Sequence, residues 1–124
     1  MCGINVKELI KLTKALSDET RLRTLNLLLE RECCVCEVMQ VLGISQPNAS
    51  RTLSALYAAG LLNMRKEGRW ALYSLNTSGM NSSVLKVVEA IGEKLKTDKT
   101  AIADLKKLHK AERLAPATIC GCQE

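Results

Sequence analysis

Two helical patterns joined by a short turn restrict the possible folds of this chain more than any other feature. Apolar residues at helical spacing over 37–42 predict a short first helix. Gly43 suits the left-handed conformation that often ends a helix, and Ser45 is a good N-cap for the next one. Pro47 lies in the first turn of that second helix, predicted over 46–59, where its missing N–H costs little. Two helices joined so closely, with glycine in the turn, are typical of a helix-turn-helix.

The elements on either side predict a winged version of that motif. Helical spacing predicts one helix over 5–16 and a Leu-rich helix that begins near Asp18 and runs to about Glu30. Residues 61–76 alternate apolar and polar side chains on either side of Glu67-Gly68, which predicts two antiparallel strands with a turn between them. A hairpin directly after a helix-turn-helix is a wing. The predicted fold class is therefore mainly α with a β-hairpin wing.

The C-terminal part of the chain carries more apolar surface than a small winged domain needs for its own core. Two apolar helical stripes run over 84–95 and 101–108, with a break or kink predicted at 97–99. We expect them to form, together with the first helix, a homodimer interface through the terminal helices; folding back onto the same chain is the alternative. Residues 1–114 are predicted to form one DNA-binding and dimerisation domain, and 115–124 a flexible tail that contains cysteines.

The composition favours a nucleic-acid partner inside the cell. A net charge of +5 and a pI of about 9.0 suit an acidic partner. No apolar run is long enough to span a membrane, and the N-terminus lacks a signal-peptide pattern, so we expect a cytoplasmic protein. Cytoplasmic thiols stay reduced, and six cysteines in such a chain therefore favour metal or redox chemistry over structural disulfides.

Polar side chains gather at the start of the second helix of the motif, where a recognition helix faces the bases of the major groove. Gln and Asn can pair with adenine and Arg with guanine, and a basic wing tip suits phosphates or the minor groove. The apolar side of the same helix is predicted to face inward with Ala49, Leu53, Leu56 and Gly60. The predicted DNA contacts are Gln46, Asn48, Ser50, Arg51 and Thr52 on the helix and Arg65, Lys66 and Arg69 on the wing.

Three of the six cysteines, Cys33, Cys34 and Cys36, lie within four residues between two glutamates. Cys thiolates are ligands for soft ions, and a helix N-terminus lowers the pKa of a thiol, so the cluster predicts a soft-metal or metalloid site. On a regular helix Cys34 and Cys36 would point to nearly opposite sides, because each residue turns by about 100°. One ion can therefore bind both only if the first turn is irregular or unwound. We expect ion binding to distort the start of this helix and to move the recognition helix through the turn at Gly43.

Several motifs, taken in their order along the chain, resemble the ArsR/SmtB family of winged-helix repressors and its arsenic-responsive branch in particular. The resemblance runs from about residue 9 to residue 75. The motifs that carry it are LSDETRL at 16–22, CVCE at 34–37, SQPNASR at 45–51, GLL at 60–62 and RKEGRWALY at 65–73. The resemblance implies a homodimer that binds a double-stranded inverted-repeat operator and is released when an inducer binds.

The resemblance also implies that Cys34 and Cys36 supply arsenic ligands. The arsenic branch often has a third cysteine one turn later, where this sequence has Met39. The candidates for a third thiolate to As(III) or Sb(III), within one subunit or from the other, are Cys33, Cys120 and Cys122. A metal-responsive branch pairs the same Cys-x-Cys with cysteines near the N-terminus, so Cys2 keeps Cd(II), Pb(II) and Zn(II) open as inducers.

The residues do not favour an enzyme. Cys34-Val35-Cys36 is not the Cys-x-x-Cys of a thioredoxin-like oxidoreductase, no glycine-rich phosphate loop is present, and His109 is the only histidine. Two other classes stay open. A module with structural zinc would unfold without its metal, whereas a redox-sensing repressor would be released by an oxidant in metal-free buffer.

Overall fold

The computed structural model describes residues 5–113 of the chain. Within that range six helices and three strands follow one another. They are α1 (Val6–Ala15), α2 (Glu19–Glu30), β1 (Cys33–Cys34), α3 (Val35–Leu42), α4 (Gln46–Ala58), β2 (Leu62–Glu67), β3 (Trp70–Leu75), α5 (Ser82–Leu95) and α6 (Lys99–Lys110). The mainly α fold class with a β-hairpin wing is confirmed. The predicted tail at 115–124 lies outside the described residues, as do Cys2, Cys120 and Cys122.

Short polar side chains set the helix starts that the sequence predicts. Asp18 accepts a hydrogen bond from the backbone N–H of Arg21 at 3.1 Å, and Ser45 accepts one from the backbone N–H of Asn48 at 3.3 Å. Each cap satisfies one of the backbone donors that a helix start leaves without a partner. Gly43 ends α3 with a φ of 66°, in the left-handed region that glycine enters without steric cost. The helix-turn-helix formed by α3 and α4 is thereby confirmed.

The three strands form one antiparallel sheet in the order β1-β3-β2. The predicted hairpin of β2 and β3 is confirmed, and Gly68 makes its turn with a φ of 64°. The two-residue strand β1 was not predicted. It places Cys33 opposite Tyr73 and Cys34 opposite Leu72, so the cysteine segment is the edge strand of the wing sheet.

The core lies between α2, α3 and α4 and is built largely from leucine. Leu25 and Leu27 of α2 are fully buried, and they belong to the same cluster as the inner side of α4. The prediction that Ala49, Leu53 and Leu56 face inward is confirmed, because all three are fully buried. The same prediction for Gly60 is wrong: this residue is exposed and has a φ of 85°, since it reverses the chain between α4 and β2.

The last helix packs against α2 through polar contacts as well as apolar ones. The predicted break after α5 is confirmed, and Asp98 caps α6 by accepting from the backbone N–H of Ala101 at 3.0 Å. Asp104, 1% exposed, accepts two hydrogen bonds of 2.9 Å from the guanidinium of Arg23. The amide of Asn26 donates to the carbonyl of Ala101 at 3.2 Å. α6 is therefore part of the folded unit of this chain.

Apolar side chains also remain on the surface of the terminal helices. Val6, Leu9 and Ile10 of α1 are 71%, 44% and 47% exposed, and Val87 of α5 is 40% exposed. Burying such side chains against a second surface would remove apolar area from water, which is favourable. Among the described residues, no helix combines the length and the apolar character required to cross a membrane.

Candidate nucleic-acid interface and cysteine site

The start of α4 presents polar side chains on the surface of the molecule. Arg51 is exposed, and Gln46, Asn48 and Ser50 are partly exposed. They line a groove of about 930 Å³ between the start of α2 and the start of α4. Because Ser45 caps the helix, its first turn is held in place and these side chains share one rigid support.

Thr52 differs from the other predicted contacts on α4. It is 6% exposed, and its hydroxyl donates to the carbonyl of Asn48 at 2.9 Å. Thr52 is therefore less accessible than the other four, but it lines the same groove, and its DNA contact stays a prediction. Four polar residues that were not predicted as DNA contacts also line this groove: Asp18, Thr20, Arg21 and Ser54. Ser54 follows Ser50 at helical spacing and could have been found, whereas only packing of α2 on α4 brings Thr20 there.

The basic residues of the wing are exposed, but they are not equivalent. The structure shows Lys66 and Arg69 on the surface at the end of the hairpin. Arg65 instead forms a two-point ion pair with Glu32, with Nε–Oε2 at 2.8 Å and Nη2–Oε1 at 3.0 Å. Its Nη2 also lies 3.2 Å from Oε1 of Glu67. The hydrogen bond between Arg65 and Glu32 is the main reason that the pKa of Arg65 is raised and that of Glu32 is lowered.

The structure brings Cys34 and Cys36 together. Their sulfur atoms are joined in a disulfide, and their Cα atoms are 5.4 Å apart. This is possible because Cys34 is the extended N-cap of α3, with φ −94° and ψ 170°, and the helix begins only at Val35. Cys34 thus lies outside the regular helix, which agrees with the expectation that the two sulfur atoms can meet only at an irregular helix start.

Cys33 lies on the other side of the same strand. Successive residues of a strand point to opposite faces, and Cys33 belongs to the main core whereas Cys34, Cys36 and Leu72 form a separate cluster beside Trp70. The thiol of Cys33 donates to the carbonyl of Arg31 at 3.4 Å. Burial raises its pKa to about 12, and the negative charge of Glu37 adds to this effect. Cys33 is thus not placed with the other two sulfur atoms.

A buried carboxylate supports the cysteine segment from behind. Glu37, 2% exposed, accepts a hydrogen bond from the backbone N–H of Cys34 at 2.8 Å. Arg31 donates to its Oε2 at 3.0 Å and Arg113 to its Oε1 at 3.4 Å. Arg31 also donates to the carbonyl of Leu108 at 3.1 Å, so one charged network joins the start of α3 to the end of α6.

The segment after α6 docks on the cysteine-bearing helix. The amide of Gln40 donates to the carbonyl of Glu112 at 2.7 Å and accepts from its backbone N–H at 3.2 Å. The Gln40 amide also donates to the carbonyl of Cys36 at 3.1 Å, and residues 114–124, which include Cys120 and Cys122, follow this docked segment in the sequence. Among residues 5–113, no group of three or more His, Cys, Asp or Glu side chains could hold a metal ion.

The sequence is similar to that of bacterial transcription regulators. The profile described as "Bacterial regulatory protein, arsR family" matches residues 18–64. The chain is 38% identical to the arsenic resistance transcriptional regulator ArsR1 of Pseudomonas putida over 96 residues, covering 74% of this chain and 75% of that protein. It is 48% identical over 68 residues to the arsenical resistance operon repressor of Escherichia coli, of which the match covers 58%. A cadmium resistance regulatory protein, the CadC homolog of Staphylococcus aureus, is 39% identical over a match that covers 66% of this chain and 69% of that protein.

Solved structures share the same architecture. Reduced HlyU from Vibrio cholerae superimposes with a TM-score of 0.62 at 32% identity, over 71% of this chain and 88% of that one. The transcriptional repressor BigR from Xylella fastidiosa gives a TM-score of 0.58 at 30% identity, and the match covers 68% of this chain and 83% of that one. The fold and the relatives are those of transcriptional regulators and not of enzymes.

Proposed function

The chain belongs to the arsR family of bacterial regulatory proteins, and we propose that it is a metalloid-responsive repressor that leaves its operator when cysteine thiolates bind As(III) or Sb(III). The observation that carries this proposal is the meeting of the Cys34 and Cys36 sulfur atoms at the start of α3. That helix directly precedes α4, the helix with the groove-lining polar side chains.

In this proposal the protein reads an inverted-repeat operator in the cytoplasm as a homodimer. The exposed side chains of α4 contact base edges in the major groove, and the wing contacts phosphates or the minor groove. The exposed apolar side chains of α1 and α5 support a dimer, because pairing would bury them. The proposed DNA contacts are Gln46, Asn48, Ser50, Arg51, Arg65, Lys66 and Arg69.

The inducer reacts with reduced thiols. Each thiol that binds arsenite, As(OH)₃, replaces one hydroxyl group, which leaves as water, so two As–S bonds release two molecules of water. Sulfur ligands suit such soft centres. We assign the third thiolate to Cys120 or Cys122, with Cys2 as a further candidate. Six residues lie between Arg113 and Cys120, so the seven steps from one to the other span at most about 25 Å. Arg113 itself donates to Glu37, which accepts from the Cys34 N–H.

Specific observations also favour two other kinds of inducer. Similarity to a cadmium resistance regulator favours Cd(II), and Pb(II) and Zn(II) belong to the same class of thiolate-binding ions. The disulfide between Cys34 and Cys36 favours a redox sensor. In that case the two thiols lose two protons and two electrons to an oxidant such as hydrogen peroxide, which is reduced to water.

A gel-shift titration tests the proposal and separates these inducers. The DNA is the region upstream of the gene that encodes this chain, and the reduced, metal-free protein receives arsenite, antimonite, cadmium or peroxide. We expect arsenite and antimonite to release the wild-type protein. Cys34→Ser and Cys36→Ser should each bind the same DNA and lose that release.

The control is Cys33→Ala, which removes a thiol of the same segment from the opposite face of β1. It should retain the full arsenite response. Full release of Cys34→Ser or Cys36→Ser by arsenite would overturn the assigned pair, and release by cadmium or peroxide alone would replace the proposed inducer. Truncation after Arg113 should weaken the arsenite response, and an unaltered response would exclude Cys120 and Cys122.

A further inference from the structure

Arg65 of the wing is held by an acidic residue of the cysteine segment. The carboxylate of Glu32 accepts from both Nε and Nη2 of Arg65, at 2.8 and 3.0 Å. Glu67, on the same strand as Arg65, lies 3.2 Å from Nη2. The N–H groups of this edge of the guanidinium are thus directed at two carboxylates, although the same edge suits a two-point contact with a phosphate.

The strand pairing places this contact beside the cysteine pair. Cys34 of β1 and Arg65 of β2 are both paired with Leu72 of the central strand. Directly opposed residues of adjacent strands point to the same face of a sheet. Cys34, Leu72 and Arg65 therefore form one row on one face, and Glu32 lies two residues before Cys34 in the chain.

We propose that Glu32 competes with DNA phosphate for Arg65, and that the state of Cys34 and Cys36 governs this competition. When the two sulfur atoms are held together, as in this structure, Glu32 retains Arg65 and the wing loses a phosphate contact. When the thiols are free, the segment at 32–34 is less constrained and DNA phosphate takes Arg65. This inference rests on the proposed function and adds a route through the wing to the route through α4.

The exposure of the ion pair suits such a switch. The side chain of Arg65 is 56% exposed and that of Glu32 is 28% exposed. Exposed ion pairs are weak because water screens them, so a phosphate can displace the carboxylate. An allosteric effect needs a contact that differs between the two states, and this pair closes in one state and opens in the other.

The test compares two substitutions that remove the same charge near the same arginine. Glu32→Gln removes the link to the cysteine segment, and Glu67→Gln is the matched control within the wing. Binding of the upstream DNA by the reduced, metal-free protein is measured by fluorescence anisotropy at several salt concentrations. We expect Glu32→Gln to bind roughly two- to fivefold more tightly than wild type, the range expected of an exposed ion pair.

The salt dependence and the inducer response should separate the two variants further. In the arsenite-loaded protein, where Glu32 retains Arg65 in wild type, Glu32→Gln should steepen the plot of log Kobs against log salt by about 0.9 for each additional phosphate that the protein neutralises. Its arsenite-induced loss of affinity should be smaller than that of wild type by about threefold or more, within the usual range of coupling. Glu67→Gln should change affinity less and retain the full arsenite effect.

Arg65→Gln shows whether Glu32 acts through Arg65. In that background Glu32→Gln should leave operator affinity unchanged. Two results would overturn the inference and leave the proposed function intact, provided that arsenite still releases the wild-type protein. One is an equal change of operator affinity in Glu32→Gln and Glu67→Gln. The other is a gain of operator affinity from Glu32→Gln in the Arg65→Gln background. A wild-type protein that arsenite does not release would overturn both this inference and the proposed function.

Discussion

The thiol of Cys33 lies in the main core, whereas the next residue, Cys34, belongs to a different buried cluster. The pKa of Cys33 is raised to about 12 by burial, with a further contribution from the charge of Glu37. Below about pH 9 this thiol is protonated in both the folded and the unfolded chain. Above pH 9 the unfolded chain releases the proton and the folded chain retains it until about pH 12, so stability falls as pH rises through this window.

Comparison with Cys33→Ala isolates this effect. In metal-free protein, the free energy of unfolding of wild type should fall by about 2 kcal/mol relative to Cys33→Ala between pH 8 and pH 10.5, because each pH unit in the window costs about 1.4 kcal/mol. Urea unfolding at a series of pH values measures the difference. Parallel pH profiles for the two proteins would show that the thiol is not buried as described.

At the scale of elements, most of the fold follows from spacing and caps, and the cysteine site does not. The roles of Gly43, Ser45 and the hairpin turn at Gly68 could be predicted because each residue acts on its own neighbours in the chain. β1 could not be predicted, because two residues acquire strand geometry only by pairing with Tyr73 and Leu72, about 40 positions away. That pairing makes Cys34 extended, and so it decides where Cys36 can meet it.

The packing of α6 against α2 likewise depends on partners distant in sequence. Asp104 is 1% exposed and takes both hydrogen bonds from Arg23, which spacing alone does not reveal. Asp104→Ala should lower the free energy of unfolding by roughly 2 kcal/mol, because it removes charged hydrogen bonds and leaves the guanidinium unpaired on that side. The measurement is urea denaturation followed by circular dichroism.

Glu93→Ala is the matched control for that substitution, since it removes an acidic side chain from an exposed position of α5. It should change stability by no more than about 0.5 kcal/mol. A similar loss of unfolding free energy in both variants would mean that the loss comes from removing any negative charge and not from breaking the buried contact with Arg23. No loss for Asp104→Ala would show that α6 is held by its apolar side chains alone.

At the scale of the whole molecule, the core of one chain leaves apolar side chains of α1 and α5 exposed. Val6 is 71% exposed, Ile10 47% and Val87 40%, although each lies on a helix with an apolar stripe. A second copy of the chain can cover them, and a dimer places two recognition helices on two half-sites. In the proposed function, such a dimer would link the apolar surface to the reading of an inverted repeat.

Ile10→Glu tests this arrangement, because a carboxylate in the paired surface would be buried without a partner. We expect a monomer in sedimentation velocity experiments, and operator affinity about 100-fold weaker or more, because binding at the second half-site no longer assists the first. Thr77→Glu adds the same charge at an exposed polar position and should stay dimeric. If Ile10→Glu also stays dimeric, α1 does not form the interface. If it is monomeric and still binds with wild-type affinity, operator recognition does not depend on the dimer, and a single α4 and wing account for the binding.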